Sequence, residues 1–363
     1  MQARHILPLT GIRFFAALWV VVYHFPYKAL VCPYIRILDP LINLGYEAVP
    51  LFFLLSGFIL SHNYFSNWSL VQHPKFIFLR FARLWPVHIF VIALMINPNI
   101  VHLNEGQLKS LLEEIFMVRF WFHSDIDLTG NAPAWSISAE WFAYICVFPL
   151  AFLLFKRLKH IPCLVIIVLF CLIAQVSFIN TTLLPPFNKC GTIFFLFLAG
   201  SGLYRIRSLV KDPPAEEIVM CGIFFLLSYV FFNQVLSTFV LYVAFALLIF
   251  GLSYERGFLA RILSNKIIVQ GGLASYSLYM IHWLVIQRFV FYTWDYWKIV
   301  SHSMLAQFIV LIVFVSAFAG VTAVSYRYVE VPANRKLRNL LKYFEAIVHP
   351  KMNIGKEPFK CGM

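Results

Sequence analysis

Long apolar runs separated by short polar stretches make up most of this chain. A helix needs about 20 predominantly apolar residues to cross the hydrocarbon of a bilayer. The pattern predicts ten such spans, at residues 8–26, 44–63, 76–96, 134–155, 162–180, 190–206, 217–233, 236–254, 270–292 and 304–328. The sequence therefore predicts an all-α integral membrane protein, a bundle of about ten transmembrane helices.

The composition supports this fold class and excludes an ordinary soluble domain. Hydrophobic residues make up 61% of the 363 residues, charged residues 12%, and the mean hydropathy is +0.80. Soluble domains are about a quarter charged. We expect one transmembrane domain over residues 1–333, followed by a basic cytoplasmic tail over 334–363 that lies along anionic lipid headgroups.

The basic residues predict the orientation of the bundle. The net charge is +13, and if the N-terminus is cytoplasmic, 22 of the 29 Lys and Arg residues lie in inner segments and 7 in outer ones. Cytoplasmic loops of membrane proteins carry an excess of Lys and Arg. The split predicts that both termini are cytoplasmic, and it explains the positive charge without a nucleic-acid partner.

Two further features bear on function. The seven cysteines form no C-x-x-C pair and fall mostly inside apolar runs, so we expect small buried side chains and no metal site. The longest outer segment, 97–133, is net acidic, and we expect it to fold partly over the bundle as a lid or a short interfacial helix.

The first span carries two polar residues that share one face of a helix. Arg13 and His24 are eleven residues apart, which is about 20° beyond three full turns and about 16 Å along the axis. Ionisable residues inside a span are costly and mark candidate functional sites. The alternative is that both side chains reach for the headgroups from the two ends of the span.

The third span adds a pair of arginines near the cytoplasmic side. Arg80 and Arg83 are three residues apart and so share a helix face. Guanidinium groups match phosphate oxygens in geometry, and with Arg13 these two could form a phosphate cradle. The competing interpretation is that the two arginines only anchor the helix at the cytoplasmic side of the membrane, where basic residues are in excess.

Later spans supply further candidates. Glu140 lies a turn or two below the outer surface, at a depth predicted to be similar to that of His24, where its carboxylate could orient the imidazole; a structural glutamate is the alternative. In the ninth span Tyr276, Tyr279 and His282 share a face, although a lone intramembrane histidine is more often a packing residue. Glu330 is expected to pair with a nearby arginine.

Common catalytic signatures are missing from the sequence. It contains no G-x-S-x-G elbow, no H-E-x-x-H, no P-loop and no G-x-G-x-x-G. Serine hydrolase, zinc enzyme and nucleotide hydrolase functions therefore have no support.

Six stretches together resemble the membrane-bound acyltransferase 3 family, the O-acetyltransferases that modify bacterial surface polysaccharides. They occur in the family's order from residue 9 to 332 and read L-T-G-I-R-F-F-A-A-L-W-V-V-V-Y-H-F, V-P-L-F-F-L-L-S-G-F-I-L, R-F-A-R, W-S-I-S-A-E-W-F, S-Y-S-L-Y-M-I-H-W and Y-R-Y-V-E-V-P. The resemblance implies a catalytic base at His24, with Arg13, and an R-x-x-R motif at Arg80 and Arg83 for the acyl-CoA donor.

Two positions depart from the family pattern. The family often has two acids after W-S-x-S-x, whereas here Trp141 follows Glu140, and Val331 replaces the arginine of its usual E-R-P motif. Neither change touches Arg13 or His24. They concern the neighbours of Glu140 and Glu330. Glu140 stays a catalytic candidate. Glu330 stays a candidate for a supporting site, together with Tyr144, Tyr276, Tyr279 and His282.

The resemblance and the helical spacing predict one mechanism. Acyl-CoA, with acetyl-CoA as the expected co-substrate and no permanently bound cofactor, enters from the cytoplasm and is held by Arg13, Arg80 and Arg83. His24 then takes the proton of a carbohydrate hydroxyl that arrives from the outer side. The expected location is the bacterial inner membrane, as a multi-pass protein whose acceptor could be lipid-linked.

Two other functions fit the same pattern of spans. A transporter or flippase for a lipid-linked sugar would also bury charges along its pathway. A non-catalytic scaffold for polysaccharide assembly would tolerate the loss of Arg13 and His24. A requirement for His24 in product acylation separates the enzyme from both.

Overall fold

The computed structural model describes residues 5–25, 38–96, 104–122, 130–179, 188–233, 235–288 and 304–348. Over these residues the chain is helical and contains no strand, which confirms the all-α prediction. The helices are α1 Leu7–His24, α2 Asp39–Asn43, α3 Ala48–Tyr64, α4 His73–Met95, α5 Glu105–Ile115, α6 Arg119–Phe122, α7 Ala134–Phe142, α8 Phe148–Phe155, α9 His160–Ile179, α10 Asn188–Leu209, α11 Ala215–Phe232, α12 Thr238–Leu252, α13 Phe258–Leu263, α14 Lys266–Leu273, α15 Ser275–Ile286, α16 Met304–Val324 and α17 Val331–Val348.

Six helical stretches within the described residues are long and apolar enough to cross a membrane. They are Leu7–His24, Gly45–Tyr64, Leu70–Met95, Ala134–Phe155, Ala215–Phe232 and Leu311–Glu345, and three shorter apolar helices accompany them, His160–Val176, Thr238–Leu252 and Ser275–Ile286. Each of the ten predicted ranges overlaps a helix. The number of crossings and the orientation of the termini stay predictions.

The outer surface of the bundle is apolar, as a lipid-facing surface must be. Ile161 and Leu164 of α9, Phe231 of α11 and Leu305 of α16 are all more than half exposed. Contiguous apolar patches of this extent are rare on soluble monomers. The chain is a membrane protein.

Helix α1 lies inside the bundle, where it packs against α3, α13, α14 and α15. Pro8 stands in its first turn, where the missing N–H costs no hydrogen bond. Glycines allow its neighbours to approach closely: a Cβ at Gly11 would collide with the Leu263 carbonyl group, and one at Gly272 with that of Thr10. The helix with Arg13 and His24 is therefore held on several sides.

The predicted span 270–292 is not one continuous helix. The chain breaks at Ala274, between α14 and α15, and residues 289–292 lie outside the described residues. Gly271 and Gly272 precede the break, and glycine is a poor helix former; both pack closely on α1. Both helices, before and after the break, pack against α1.

Among the described residues, π-helical segments interrupt the helices at Ala143–Val147, between α7 and α8, and at Ser325–Glu330, between α16 and α17. Each places one extra residue in a helical turn and so shifts the face that the following residues present. Apolar periodicity gave no sign of either.

The polar ends of the bundle carry two amphipathic helices. In the segment 97–133, α5 begins with a capping box of Asn104 and Gln107, and α6 packs on α7. A short helix therefore lies in this segment, as predicted. Residues 97–103 and 123–129 lie outside the described residues.

Helix α17 continues directly from the π-helical segment, so the predicted boundary at 333 falls inside this helix. Lys75 of α4 binds Glu345 at 2.8 Å, and residues 349–363 lie outside the described residues.

Candidate functional site

Three adjoining cavities run through the centre of the bundle beside α1. The first, of about 30 Å³, and the second, of about 50 Å³, share Arg13, Phe52, Ser56 and Glu140 in their walls. The second and the third, of about 230 Å³, share Val49 and Tyr279. The shared walls place the cavities in succession, with Arg13, the seventh residue of α1, beside the first two and His24, its last residue, beside the third.

The first cavity collects the arginines that the sequence singled out. Arg13, Arg80 and Arg83 line it together with Glu140 and Tyr144. Three guanidinium groups against one carboxylate leave this cavity with an excess of positive charge. Such a set of planar donors fits an anionic ligand with several oxygens, as a phosphate group is.

Arg80 is fixed while part of its hydrogen-bonding capacity stays unused. Its Nη2 donates to the Tyr64 hydroxyl at 2.9 Å, and its guanidinium lies over the rings of Tyr64 and Phe76. The Nε atoms of Arg80 and Arg13 are buried and have no partner among the described residues. Buried donors without partners are costly, which fits groups that wait for a ligand.

His24 lies in the wall of the third and largest cavity. Its Nδ1 is 3.0 Å from the Val20 carbonyl oxygen and 3.3 Å from Nε2 of His282. The rings of Tyr23 and Trp283 pack edge-on against the imidazole, with centroids 4.8 and 5.3 Å away. The ring is therefore held in one orientation.

The hydrogen bonds assign the tautomers of the two histidines. Nδ1 of His282 contacts the Tyr279 carbonyl oxygen, which can only accept, so Nδ1 of His282 carries a proton and its Nε2 carries a lone pair. By the same reasoning Nδ1 of His24 donates, shared between Val20 and His282. Nε2 of His24 is then the unprotonated nitrogen, and no described residue forms a hydrogen bond with it.

The predicted pairing of Glu140 with His24 is wrong. Glu140 accepts a hydrogen bond from the Tyr144 hydroxyl and lines the first and second cavities, not the one that His24 lines. His24 is the last residue of α1, whereas Glu140 is the seventh of α7 and so lies nearly two turns deeper. His282 occupies the place beside the imidazole.

The tyrosines of α15 connect the site to the surrounding helices. The Tyr276 hydroxyl donates to the Leu84 carbonyl oxygen at 2.7 Å, and the Tyr279 hydroxyl is 2.8 Å from Ser136 Oγ. Both tyrosines line the second cavity, and Tyr279 also lines the third. These bonds hold α15 against α4 and α7.

Glu330 does not form the expected ion pair with an arginine. Within the described part of the chain its Oε2 accepts from Ser277 Oγ at 2.6 Å, and no arginine nitrogen lies within ion-pair distance, although Arg13 and Arg83 are near enough to act on its charge. Glu330 is the last residue of the π-helical segment Ser325–Glu330, and its side chain reaches Ser277 of α15. The sequence did not reveal that segment.

Among the residues of the third cavity, sequence reasoning missed the carboxylate Glu47, and it ranked His282 too low. Glu47 lies inside the second predicted span, 44–63, which was identified from its hydropathy; an acidic residue within an apolar span is the signal that could have revealed it. The described residues contain no group of three or more His, Cys, Asp or Glu side chains that could hold a metal ion.

Comparison with known proteins gives two matches. A family model described as "Acyltransferase domain" matches residues 7–326. Acyltransferase MdmB of Streptomyces mycarofaciens is 32% identical over 159 residues, which are 41% of this chain and 40% of that protein. The matched part thus spans well under half of that relative. No solved structure matches.

Proposed function

This chain belongs to the acyltransferase 3 family and is an acyltransferase, and from that premise we propose that it moves an acyl group, acetyl first of all, from acyl-CoA to a carbohydrate hydroxyl. The succession of cavities from the arginines to His24 is the observation that carries the proposal. The acceptor would be a cell-surface or exported glycan, lipid-linked or free. The protein would act as a multi-pass protein of the bacterial inner membrane.

The arginine end of the path suits the nucleotide part of the donor. Arg13, Arg80 and Arg83 would bind its phosphates, with the pantetheine arm running along Phe52 and Glu140 toward Tyr279. Phe52 and Glu140 lie in the walls of both smaller cavities, whose volumes are about 30 and 50 Å³, so this stretch must widen for the arm to pass. About 16 Å of helix axis separates Arg13 from His24, which an elongated donor can cover.

The histidine end suits proton transfer. Nε2 of His24 takes the proton of the acceptor hydroxyl, and the oxygen attacks the thioester carbonyl carbon. The C–S bond breaks, the new ester forms, and the coenzyme A thiolate takes up the proton from His24 as the thiol. General-base catalysis of this kind is worth about 10²–10⁴-fold.

A cellular experiment separates this function from transport. We expect His24→Gln to abolish acylation of the surface glycan, measured by mass spectrometry, while the amount of exported glycan and of inserted protein stays unchanged. His160→Gln, at the exposed start of α9, is the matched control and should retain acylation. Unchanged acyl content with reduced glycan export in His24→Gln would instead favour a transporter.

A further inference from the structure

Glu47 is a fully buried carboxylate that the mechanism above does not use. It ends the short 3₁₀ helix Gly45–Glu47, is 0% exposed, and lines the same 230 Å³ cavity as His24. Neither of its carboxylate oxygens has a hydrogen-bond partner among the described residues. The Tyr46 hydroxyl is near enough to interact with it but does not reach hydrogen-bond geometry.

The packing of this turn against α1 fixes the position of Glu47. A Cβ at Gly45 would lie 2.5 Å from the Trp19 carbonyl oxygen and from Tyr23 Cβ, so only glycine allows this approach. The rings of Tyr23 and Tyr46 are 5.7 Å apart, and Trp19 Nε1 donates to the Leu41 carbonyl oxygen at 2.6 Å. The turn is thereby held beside the outer end of α1, where His24 lies.

A carboxylate in this position has no structural task that would explain it. Burying a charge without a partner costs several kcal/mol. Glu47 precedes α3 as its N-cap residue but makes no side-chain capping bond; the positive end of the helix dipole still favours its negative charge. Glu47 lies in a cavity wall and has no hydrogen-bond partner among the described residues. Because such a buried charge is costly, we take it as a sign that the carboxylate binds a ligand.

The other walls of this cavity indicate the class of ligand. Tyr46 and Trp135 present aromatic surface, and Thr192 and Tyr279 add hydroxyl-bearing side chains. Aromatic rings pack against the C–H faces of a sugar ring, while a carboxylate accepts hydrogen bonds from its hydroxyls. The cavity thus combines a surface for a ring, an acceptor for hydroxyl protons and a base.

We propose that Glu47 binds the acceptor sugar by accepting hydrogen bonds from hydroxyls next to the one that attacks, and so selects which hydroxyl faces His24. This inference rests on the proposed function and deepens it. Glu47 is in this view a specificity-determining residue, with no part in the proton transfer. A neutral amide at this position keeps the shape but loses the charge-assisted bond.

The test uses the full-length protein in lipid nanodiscs, acetyl-CoA, and a panel of methyl hexopyranosides with their monodeoxy analogues. Glu47→Gln should raise the acceptor KM about 10- to 100-fold, as expected for loss of a hydrogen bond to a charged group. It should also remove the discrimination of the wild type between a hexoside and the deoxy analogue that lacks the bound hydroxyl. The KM for acetyl-CoA should stay unchanged.

Stability distinguishes binding from a structural role. Because the buried charge is unpaired, Glu47→Gln should melt at or above the wild-type temperature. Glu113→Gln, which alters a buried carboxylate of α5 outside this cavity, is the control and should leave acceptor kinetics unchanged.

The possible outcomes separate the two proposals. If the wild type acylates glycosides and Glu47→Gln keeps both the rate and the discrimination, the inference is wrong and the proposed function stands. A fall in melting temperature with unchanged discrimination would also overturn it. A wild-type protein that acylates no glycoside of the panel contradicts the carbohydrate acceptor and the inference with it.

Discussion

At the scale of single residues, His24 and His282 form a pair whose ring nitrogens are 3.3 Å apart. Helical arithmetic along one span identified Arg13 and His24 from the sequence, since spacing within a helix is fixed. It could not identify the partner of His24, because depth in a neighbouring helix depends on where that helix begins. The partner of His24 in the structure is therefore His282, and not Glu140 as predicted.

His282 should act as a positioning residue that orients His24 and favours its tautomer. We expect His282→Phe, which keeps a ring but removes the acceptor nitrogen, to lower kcat about 10- to 100-fold, part of what a general base supplies. The KM for acetyl-CoA should not change. His282→Gln restores an acceptor oxygen and should recover part of the rate, and the pH–rate profile of His282→Phe should differ from that of the wild type.

Equal losses in His282→Phe and His282→Gln, together with lower melting temperatures, would contradict the positioning role. His160→Gln serves again as the control for a histidine outside the site. Its kinetics and its pH–rate profile should match the wild type.

At the scale of elements, apolar periodicity predicted the helices well and their interruptions poorly. The ten apolar ranges overlap helices because a segment that lies in lipid must satisfy its backbone hydrogen bonds within itself. The break at Ala274 lies beside a close helix contact, that of Gly272 with Thr10. Such contacts join residues far apart in the chain, and hydropathy does not record them.

The crossing of α3 and α10 gives the clearest prediction at this scale. A Cβ at Gly57 would overlap the Phe197 carbonyl group, and one at Gly200 that of Leu54, so the two backbones touch as in other small-residue helix interfaces. In detergent, Gly57→Ala and Gly200→Ala should each lower the melting temperature, with a loss of about 1–3 kcal/mol or more from overpacking.

Gly320→Ala is the matched control, because nothing lies within 4 Å of a Cβ at that position of α16. Alanine is the better helix former by about 1 kcal/mol, so this variant should melt at or slightly above the wild-type temperature. Equal effects of the three substitutions would contradict the close crossing.

At the scale of the whole molecule, the predicted orientation in the membrane would place the proposed donor and the proposed acceptor on opposite sides. The excess of basic residues in the predicted inner segments predicts that Arg13, Arg80 and Arg83 lie toward the cytoplasm, where acyl-CoA is made. His24 and its larger cavity then lie toward the outside. The same orientation puts the turn between α10 and α11 inside and that between α11 and α12 outside.

Cysteine labelling in intact cells tests this orientation. In a background without the seven native cysteines, Val235→Cys should react with a membrane-impermeant maleimide, since Val235 is exposed between α11 and α12. Asp212→Cys, in the exposed turn between α10 and α11, should react only after the cells are opened. The reverse pattern, or labelling of both from outside, would contradict the assignment of the inner side.

The proposed mechanism assigns donor binding to the arginines and proton acceptance to the histidine of the site. The most direct measurement is acetyl-CoA affinity and acyl transfer determined on the same preparations of wild type, Arg83→Ala and His24→Gln. We predict that His24→Gln binds acetyl-CoA as tightly as the wild type and transfers no acyl group, whereas Arg83→Ala binds it at least 10-fold more weakly. Transfer by His24→Gln at the wild-type rate, or undiminished affinity in Arg83→Ala, would contradict it.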